Sequence, residues 1–348
     1  MDFWSKISQD KRPVLMYGMG NGADKIISYL EKYGVVVDDF FASDEFVRGH
    51  FFHGKKVLKF SEARQKYDDF IILLSFASSL PDVLERFYLL DKNFEMYAPD
   101  VPVTGNNLFT ESFYNENINN FKLARSLLED DESKRIFDEV VEYKLTAKIS
   151  HLKNAISDKN EIIKNILRPK SYHLCADLGA YNGDTAKEML RYFQNVEKIV
   201  CLEPDPRNFR KLLSFAGEES KVEVYEAGAW SNDTVLKMDQ SGNRNANVFN
   251  QTSSKLKDVN MRSLDSVLDG RKVDYIKFDV EGAEREALLG AKNSIIEFKP
   301  DMLISMYHRS EDMFDLPILV NCICPDYKLY LRRFEYVPAW DLNLYAVK

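Results

Sequence analysis

The chain has 348 residues, a formal net charge of −8, and 45% hydrophobic and 29% charged residues. It is too long for one ordinary core, and at roughly 100–200 residues per domain it predicts two domains. The negative charge argues against a nucleic-acid binder, because phosphate affinity comes from clustered lysine and arginine. The longest apolar runs, such as 70–76, are far shorter than the ~20 residues of a membrane span.

The N-terminal residues and the cysteines favour a cytoplasmic protein. The first thirteen residues, MDFWSKISQDKRP, lack the apolar core of a signal peptide. Cys175, Cys201, Cys322 and Cys324 lie in apolar runs and form no C-x-x-C pair. Reduced, buried thiols are therefore expected, and no zinc site is indicated. The sequence leaves the oligomeric state open, and a homo-oligomer is compatible with it.

Residues 1–105 predict a first Rossmann-like α/β domain. Expected strands lie at 13–17, 35–41 and 70–76, and expected helices at 22–33 and 80–91. Gly18, Gly20 and Ala23 match the G-x-G-x-x-G/A turn, and this region loosely resembles nucleotide- or sugar-nucleotide-binding domains. However, the second strand ends at Ala42, where dinucleotide binding would require an acid. Nucleotide binding, docking of a partner, and a domain that has kept the fold but binds nothing all stay open.

Residues 106–170 predict a helical connector, with helices at 118–130 and 133–149, and residues 171–348 predict a second α/β domain. Expected strands of the second domain lie at 172–177, 198–203, 222–227, 273–279, 302–307, 328–334 and 343–347. Helices separate the first five strands, whereas the last two form an antiparallel pair that closes the sheet. This seven-stranded pattern is the architecture of class I methyltransferases.

The stretch 177–190, DLGAYNGDTAKEML, passes from a strand through a glycine turn into a helix. Gly179 and Gly183 can take backbone conformations closed to other residues and admit a ligand close to the chain. Asp177 places a carboxylate at the strand end, where open α/β sheets bind ligands. A phosphate would require lysine or bare helix N–H groups there. The acid instead suits an ammonium group, such as the methionine end of S-adenosylmethionine.

The ends of the next two strands complete a nucleoside-like site. Glu203, in 198-KIVCLEPDP-206, can accept both hydroxyls of a ribose, a signal that also fits NAD. The turn at Asp177 lacks the G-x-G-x-x-G spacing of a pyrophosphate site, which favours S-adenosylmethionine. The small residues of 226-EAGAWS-231 leave room for an adenine. Trp230 is either a wall of that site or a core aromatic residue.

The fourth and fifth strands end in acids and a histidine. In 276-IKFDVEGAEREALLGA-291, Asp279 and Glu281 follow the strand and Glu284 enters the helix, where it either acts in the site or favours the helix dipole. His308 follows the neighbouring strand and is a candidate base or metal ligand. Asp279 is expected to be functional, because an acid ending a buried strand is costly without a partner.

The second domain resembles the FkbM family of S-adenosylmethionine-dependent methyltransferases. The resemblance is carried by 177-DLGAYNGDT-185, 202-LEPDP-206, 227-AGAWS-231, 263-SLDSVL-268, 277-KFDVEGAE-284, 304-ISMYHR-309 and 341-DLNLYAV-347. It implies methylation of an oxygen, commonly on a sugar or polyketide-type hydroxyl. The cofactor site would then comprise Asp177, Gly179, Ala180, Glu203, Pro204, Ala229, Trp230 and Asp279. Asp279, Glu281 and His308 would lie near a sugar-like acceptor.

The leading interpretation is an O-methyltransferase that aligns the acceptor oxygen, methyl carbon and sulfur, with His308 or Asp279 as the base. Asp279, Glu281 and His308 are alternative ligands of a divalent ion, but a metal-free reaction is favoured because one distant histidine makes a thin ligand set. A nucleotide-dependent oxidoreductase and a non-catalytic nucleotide-sugar-binding protein are alternatives. The polar segment 240–258 is expected to be a mobile lid over the cofactor.

Overall fold

The chain is described from a computed structural model, which covers residues 1–239 and 256–348. Its architecture is α/β, as the sequence predicts, with one five-stranded and one seven-stranded sheet. Most of the segment predicted to be a lid, residues 240–255, lies outside the described residues.

The first sheet is parallel and has the order β5-β2-β1-β6-β7. Its region contains strands β1 (Val14–Tyr17), β2 (Asp39–Ala42), β3 (Phe51–Phe52), β4 (Lys55–Lys56), β5 (Leu58–Lys59), β6 (Ile71–Leu74) and β7 (Met96–Tyr97). The accompanying helices are α1 (Phe3–Gln9), α2 (Asn21–Leu30), α3 (Phe60–Lys66) and α4 (Pro81–Asn93). Strands β3 and β4 form a separate hairpin.

Several details differ from the sequence-based expectations, and helix α3 and the β3–β4 hairpin were not predicted. The strand expected at 35–41 begins only at Asp39, because the preceding valines lie in a loop where Val36 is 75% exposed. The edge strands β5 and β7 were not predicted, since two residues are too few to show a period. Helix α1 was also missed, although Phe3 and Trp4 bury its apolar side.

Five α-helices lie between the first sheet and the second in the described chain. They are α5 (Glu111–Glu116), α6 (Ile118–Ser126), α7 (Asp131–Thr146), α8 (Ile149–Asn154) and α9 (Lys159–Asn165). The two predicted connector helices correspond to α6 and α7. Asp130 caps α7, because its side chain accepts a hydrogen bond from the N–H of Ser133.

The second sheet has the order β10-β9-β8-β14-β15-β17-β16. Its region contains β8 (Leu174–Leu178), β9 (Lys198–Leu202), β10 (Val222–Tyr225), β11 (Gly228–Ala229), β12 (Thr234–Asp239), β13 (Leu256–Arg262), β14 (Tyr275–Phe278), β15 (Asp301–Ser305), β16 (Lys328–Arg333) and β17 (Leu342–Val347). The helices are α10 (Asp184–Tyr192), α11 (Pro206–Glu218), α12 (Leu264–Leu268), α13 (Glu284–Gly290), α14 (Lys292–Phe298) and α15 (Asp312–Ile323). Strands β11, β12 and β13 form a small extra sheet that the sequence did not predict.

The predicted antiparallel pair at the end of the chain is confirmed. Strand β17 lies between β15 and β16 and is antiparallel to both, whereas the other strands of this sheet run parallel. The carboxyl ends of β9, β8, β14 and β15 therefore meet at one edge. None of the described helices is both long and apolar enough to span a membrane.

The two sheets share one hydrophobic core. A single cluster of buried side chains includes Leu15 from the first sheet, Phe121 and Phe137 from the helices, and Phe278 from the second sheet. A buried ion pair reinforces this packing, since Nζ of Lys144 on α7 lies 2.8 Å from Oδ2 of Asp100 beyond β7. The domain boundaries at 105 and 170 stay a prediction.

We expect Lys144→Met to destabilise the fold by about 3–5 kcal/mol, because it leaves the Asp100 carboxylate buried without its cation. The matched control is Arg125→Met, which breaks the exposed pair with Asp138 and should cost less than about 1 kcal/mol. Denaturant unfolding of both variants measures the difference. Equal losses of unfolding free energy in the two variants would show that the buried pair of Lys144 and Asp100 does not stabilise the packing between the two sheets.

Candidate functional site

The edge formed by β9, β8, β14 and β15 brings together the acids and the histidine that the sequence predicted. Asp177 lies near the end of β8, Glu203 follows β9, Asp279 follows β14, and His308 lies three residues after β15. Parallel strands present their carboxyl ends on the same side, and ligands of open α/β sheets bind there. These residues come from distant parts of the chain, so the topology alone assembles them.

The glycine turn after β8 packs directly against the loop after β14. Gly179 has φ +85°, and a Cβ atom there would lie 1.8 Å from the backbone oxygen of Asp279. Only glycine fits both this conformation and this contact. Gly183, also with φ +85°, begins helix α10, and Ala180 between the two glycines is buried.

Glu203 is held in place by backbone N–H groups. Its two carboxylate oxygens accept hydrogen bonds from the N–H of Tyr181 at 2.8 Å and of Asp205 at 2.9 Å. Burial raises the pKa of Glu203 to about 7, against the opposing effect of these donors. The carboxylate retains lone pairs that can accept further hydrogen bonds, as a ribose would require.

The segment predicted to surround an adenine is tightly packed. Ala229 is buried, and a Cβ atom on Gly228 would lie 3.6 Å from the side chain of Pro204. Trp230 packs against Val259 and Met261 of the small sheet. The structure therefore places Trp230 in a hydrophobic cluster at the border of this segment.

Lys277, which the sequence analysis did not single out, contacts both Asp177 and Asp279. Nζ of Lys277, on β14, lies 3.4 Å from Oδ1 of Asp177 and 3.4 Å from Oδ2 of Asp279. Burial raises the pKa of Asp177 to about 6, although Lys277 opposes this effect. Burial also disfavours the charge of Lys277, but the two aspartates more than offset it and raise its pKa.

Asp279 also accepts a hydrogen bond from a second residue that the sequence analysis missed. The hydroxyl of Tyr307 donates to Oδ1 of Asp279 at 3.1 Å. Burial raises the pKa of Asp279, but the positive charges of Lys277 and His308 lower it by more. The pKa of Asp279 therefore lies below its ordinary value. Asp279 is therefore ionised at neutral pH.

Three carboxylates surround the buried ring of His308. Its Nε2 lies 3.7 Å from Oδ1 of Asp279 and 3.6 Å from Oε2 of Glu281, and its Nδ1 lies 2.9 Å from Oε1 of Glu284. Burial lowers the pKa of His308, but Glu284, Asp279 and Glu281 raise it to about 10. Glu284 is 1% exposed, and its Oε1 also accepts a hydrogen bond from the N–H of Val280 at 2.9 Å.

The first part of the chain closes over this cluster. Thr104 donates its hydroxyl to the backbone oxygen of Glu281 at 3.1 Å and its N–H to the backbone oxygen of His308 at 2.9 Å. Lys25 of α2 donates to the neighbouring oxygen of Val103 at 3.0 Å. Thr104 thus fixes the loop of acids from the side of the first sheet.

A cavity of about 260 Å³ opens beside the cluster, between α9, α10 and the second sheet. Its polar lining includes Lys277, Asp279, Tyr307, Asp341 and Asn343. Apolar residues such as Met189, Phe334 and Tyr345 form other parts of its wall. Polar groups that converge on an otherwise apolar cavity are typical of small-molecule sites.

Comparison with solved structures finds several methyltransferases that share parts of this chain's fold. Methyltransferase FkbM from Methylobacillus flagellatus KT has a TM-score of 0.74 and 20% identity, with 97% of this chain and 90% of that chain covered. Fibrillarin from Aeropyrum pernix, solved with S-adenosyl-L-methionine, has a TM-score of 0.36 and 15% identity over 52% of this chain and 69% of that chain. A precorrin-6y C5,15-methyltransferase from Geobacter metallireducens GS-15 has a TM-score of 0.36 and 12% identity over 56% of this chain and 92% of that chain.

The similarity to the Methylobacillus flagellatus protein covers 97% of this chain, so the shared fold includes the first sheet. Among curated proteins, none matches the chain significantly. Residues 177–335 match the family model of the methyltransferase FkbM domain. This matched segment contains Asp177, Glu203, Asp279, Glu281 and His308.

We expect Gly179→Ala to destabilise the protein by at least about 2 kcal/mol, because the added methyl group meets the Asp279 backbone at a positive φ. The matched control is Gly217→Ala within α11, where no atom lies within 4 Å of the added Cβ. That change should stabilise the protein by about 0.5–1 kcal/mol. Thermal unfolding checks both, and a neutral Gly179→Ala would contradict the close contact.

Proposed function

We propose that the chain transfers a methyl group from S-adenosylmethionine to a hydroxyl group of a sugar or a related small molecule. The observation that carries this proposal is the arrangement around Lys277, which contacts Asp177 on the donor side and Asp279 on the acceptor side. A donor held at Glu203 and an acceptor held at His308 would thus meet at one edge of one sheet. The family of residues 177–335 supports methyl transfer as the reaction.

The donor side suits the chemistry of S-adenosylmethionine. Its ribose hydroxyls donate hydrogen bonds to the remaining lone pairs of Glu203, which the N–H groups of Tyr181 and Asp205 hold in place. Its methionine end carries an ammonium and a carboxylate, and Asp177 and Lys277 offer charges of both signs nearby. Gly179 keeps the turn free of side-chain atoms.

The acceptor side suits a polyhydroxylated ring. Carboxylate and amide groups from Asp279, Asp341 and Asn343 line the cavity and can bind hydroxyl groups, while Phe334 and Tyr345 provide apolar ring faces. The volume of about 260 Å³ is large enough for one sugar-sized ring. A small-molecule acceptor with a sugar-like ring is therefore the partner of this proposal.

The reaction breaks the bond between sulfur and the methyl carbon, and the electron pair stays on sulfur. An oxygen lone pair of the acceptor forms the new bond to carbon, and the hydroxyl proton leaves. Since the pKa of His308 is raised to about 10, His308 holds its own proton at neutral pH, and the carboxylates are the groups able to accept one. The enzyme contributes mainly alignment, because the sulfonium is already activated.

Calorimetric titration with S-adenosylhomocysteine, beside NAD and a UDP-sugar, tests the donor site. We expect micromolar binding of S-adenosylhomocysteine, weakened at least about tenfold by Glu203→Gln because a carboxamide accepts ribose hydrogen bonds less strongly. The matched control is Glu218→Gln at the exposed end of α11, which should bind like the unchanged protein. Binding of NAD or the UDP-sugar alone would contradict the proposal and favour a role for the first sheet.

The pH dependence of the same binding is a separate prediction. With a pKa of about 7, Glu203 is about one-tenth ionised at pH 6 and about nine-tenths ionised at pH 8. Because the ionised form is the better acceptor, affinity should rise about tenfold across this range and level off above it. Titrations at several pH values measure this rise, and Glu203→Gln should remove most of it. A flat profile for the unchanged protein would contradict ribose binding by Glu203.

A further inference from the structure

The cavity beside the edge of the second sheet contains a carboxylate without a cationic partner. Among the carboxylates that line this cavity, Glu188 is paired with Lys159, and Asp279 is paired with Lys277. The third is Asp341, and within the described ranges no lysine, arginine or histidine nitrogen lies within 4.0 Å of its carboxylate oxygens. Asp341 is therefore the lining carboxylate that is still able to pair with a bound cation.

Asn343 holds the carboxylate of Asp341 in place at the cavity wall. Nδ2 of Asn343 donates a hydrogen bond to Oδ1 of Asp341 at 2.9 Å and another to its backbone oxygen at 3.2 Å. Asn343 is itself buried on β17, where the neighbouring strands β15 and β16 fix its backbone. Asp341 has φ +59°, a strained conformation for a residue with a side chain, and such strain is common at ligand sites. The carboxylate is thus positioned before any ligand binds.

The surroundings of Asp341 favour a positively charged ligand over a neutral one. Burial raises the pKa of Asp341, and the nearby charge of Asp279 adds to this effect. The hydrogen bond from Asn343 and the charges of Lys159 and Arg333 oppose burial without cancelling it. A cation bound beside Asp341 would lower the pKa again, because it would stabilise the ionised carboxylate that burial disfavours.

Aromatic rings line the same cavity as this carboxylate. The N–H of Phe334 donates a hydrogen bond to the backbone oxygen of Asp341 at 3.1 Å, and the side chains of Phe334 and Tyr345 form part of the cavity wall. A carboxylate beside aromatic rings suits an ammonium group, which is attracted both to the anion and to the ring faces. We propose that Asp341 binds an ammonium group of the methyl acceptor, so that the acceptor is an amino sugar or a similar ring with a primary amine. This assignment rests on the proposed function.

The amine would serve recognition and would not receive the methyl group. A nitrogen held as an ammonium has no lone pair with which to attack the methyl carbon, so methyl transfer stays with a hydroxyl. Asp279 lines the same cavity, and it lies near enough for its charge to affect the pKa of Asp341. An ammonium bound to Asp341 would therefore leave a hydroxyl of the same ring free to lie near Asp279.

Titration of the full chain with glucosamine, glucose and N-acetylglucosamine tests this inference, with and without saturating S-adenosylhomocysteine. At a pH at which its amine is protonated, glucosamine should bind at least about tenfold more tightly than the other two sugars, because only glucosamine presents an ammonium group. Asp341→Asn should remove this preference and leave the binding of S-adenosylhomocysteine unchanged. Asparagine tolerates a positive φ, so the variant should fold, and its unfolding temperature checks this. Ligand-observed nuclear magnetic resonance measures the sugar affinities.

The matched control is Asp68→Asn, in the exposed loop between α3 and β6, which should keep the preference for glucosamine. Equal binding of the three sugars, no binding of glucosamine, or a preference that Asp341→Asn retains would overturn the inference. Weaker binding of S-adenosylhomocysteine by Asp341→Asn would also overturn it, because Asp341 would then bind the ammonium group of the donor.

The same titrations separate this inference from the proposed function. Binding of S-adenosylhomocysteine without a preference for glucosamine would reject the ammonium site alone. A preference for glucosamine that depends on Asp341, without binding of S-adenosylhomocysteine, would reject the donor site and leave the ammonium site standing.

Discussion

The contact of one buried lysine with two strand-end aspartates organises the candidate site. Lys277 lies on the central strand β14, with Asp177 on the neighbouring strand and Asp279 at the end of its own strand. The fully buried Asp177 carboxylate is costly to charge without a cation, and the largely buried Lys277 would be costly without an anion. The pairing therefore fixes the carboxyl edge of the sheet at the point where the proposed donor and acceptor sides meet.

The first part of the chain belongs to the same physical unit. Thr104 holds the backbone of Glu281 and His308, and a Cβ atom on Gly282 would strike the Thr104 side chain at 2.8 Å. Glu281 itself has φ +54°, a strained conformation for a residue with a side chain, which the surrounding contacts impose. The first part of the chain thus supports the loop that carries Glu281 and His308.

Much of this arrangement could be predicted from the sequence, because a strand-end residue can be recognised from the apolar run that precedes it. Glu203, Asp279 and His308 each follow an apolar run, and the order of a parallel sheet brings their positions to one edge. Lys277 carried a readable signal as well, since it lies two residues before Asp279 and so shares its face of the strand.

Other features left no local trace in the sequence. Thr104 reaches Glu281 across 177 residues of chain, a distance that no periodic pattern encodes. The partnership of Glu284 with His308 depends on how α13 packs beside β15, and the two-residue edge strands depend on neighbours that complete the sheet. Such details come from tertiary packing, which overrides local propensity.

A crystal structure of the protein with S-adenosylhomocysteine would test the central claim most directly. We expect the ribose hydroxyls of the ligand to bind the Glu203 carboxylate. Its sulfur atom should lie near Lys277 and face Asp279 and His308. A ligand bound at the glycine turn of the first sheet instead, or a nucleoside that makes no contact with Glu203, would contradict it.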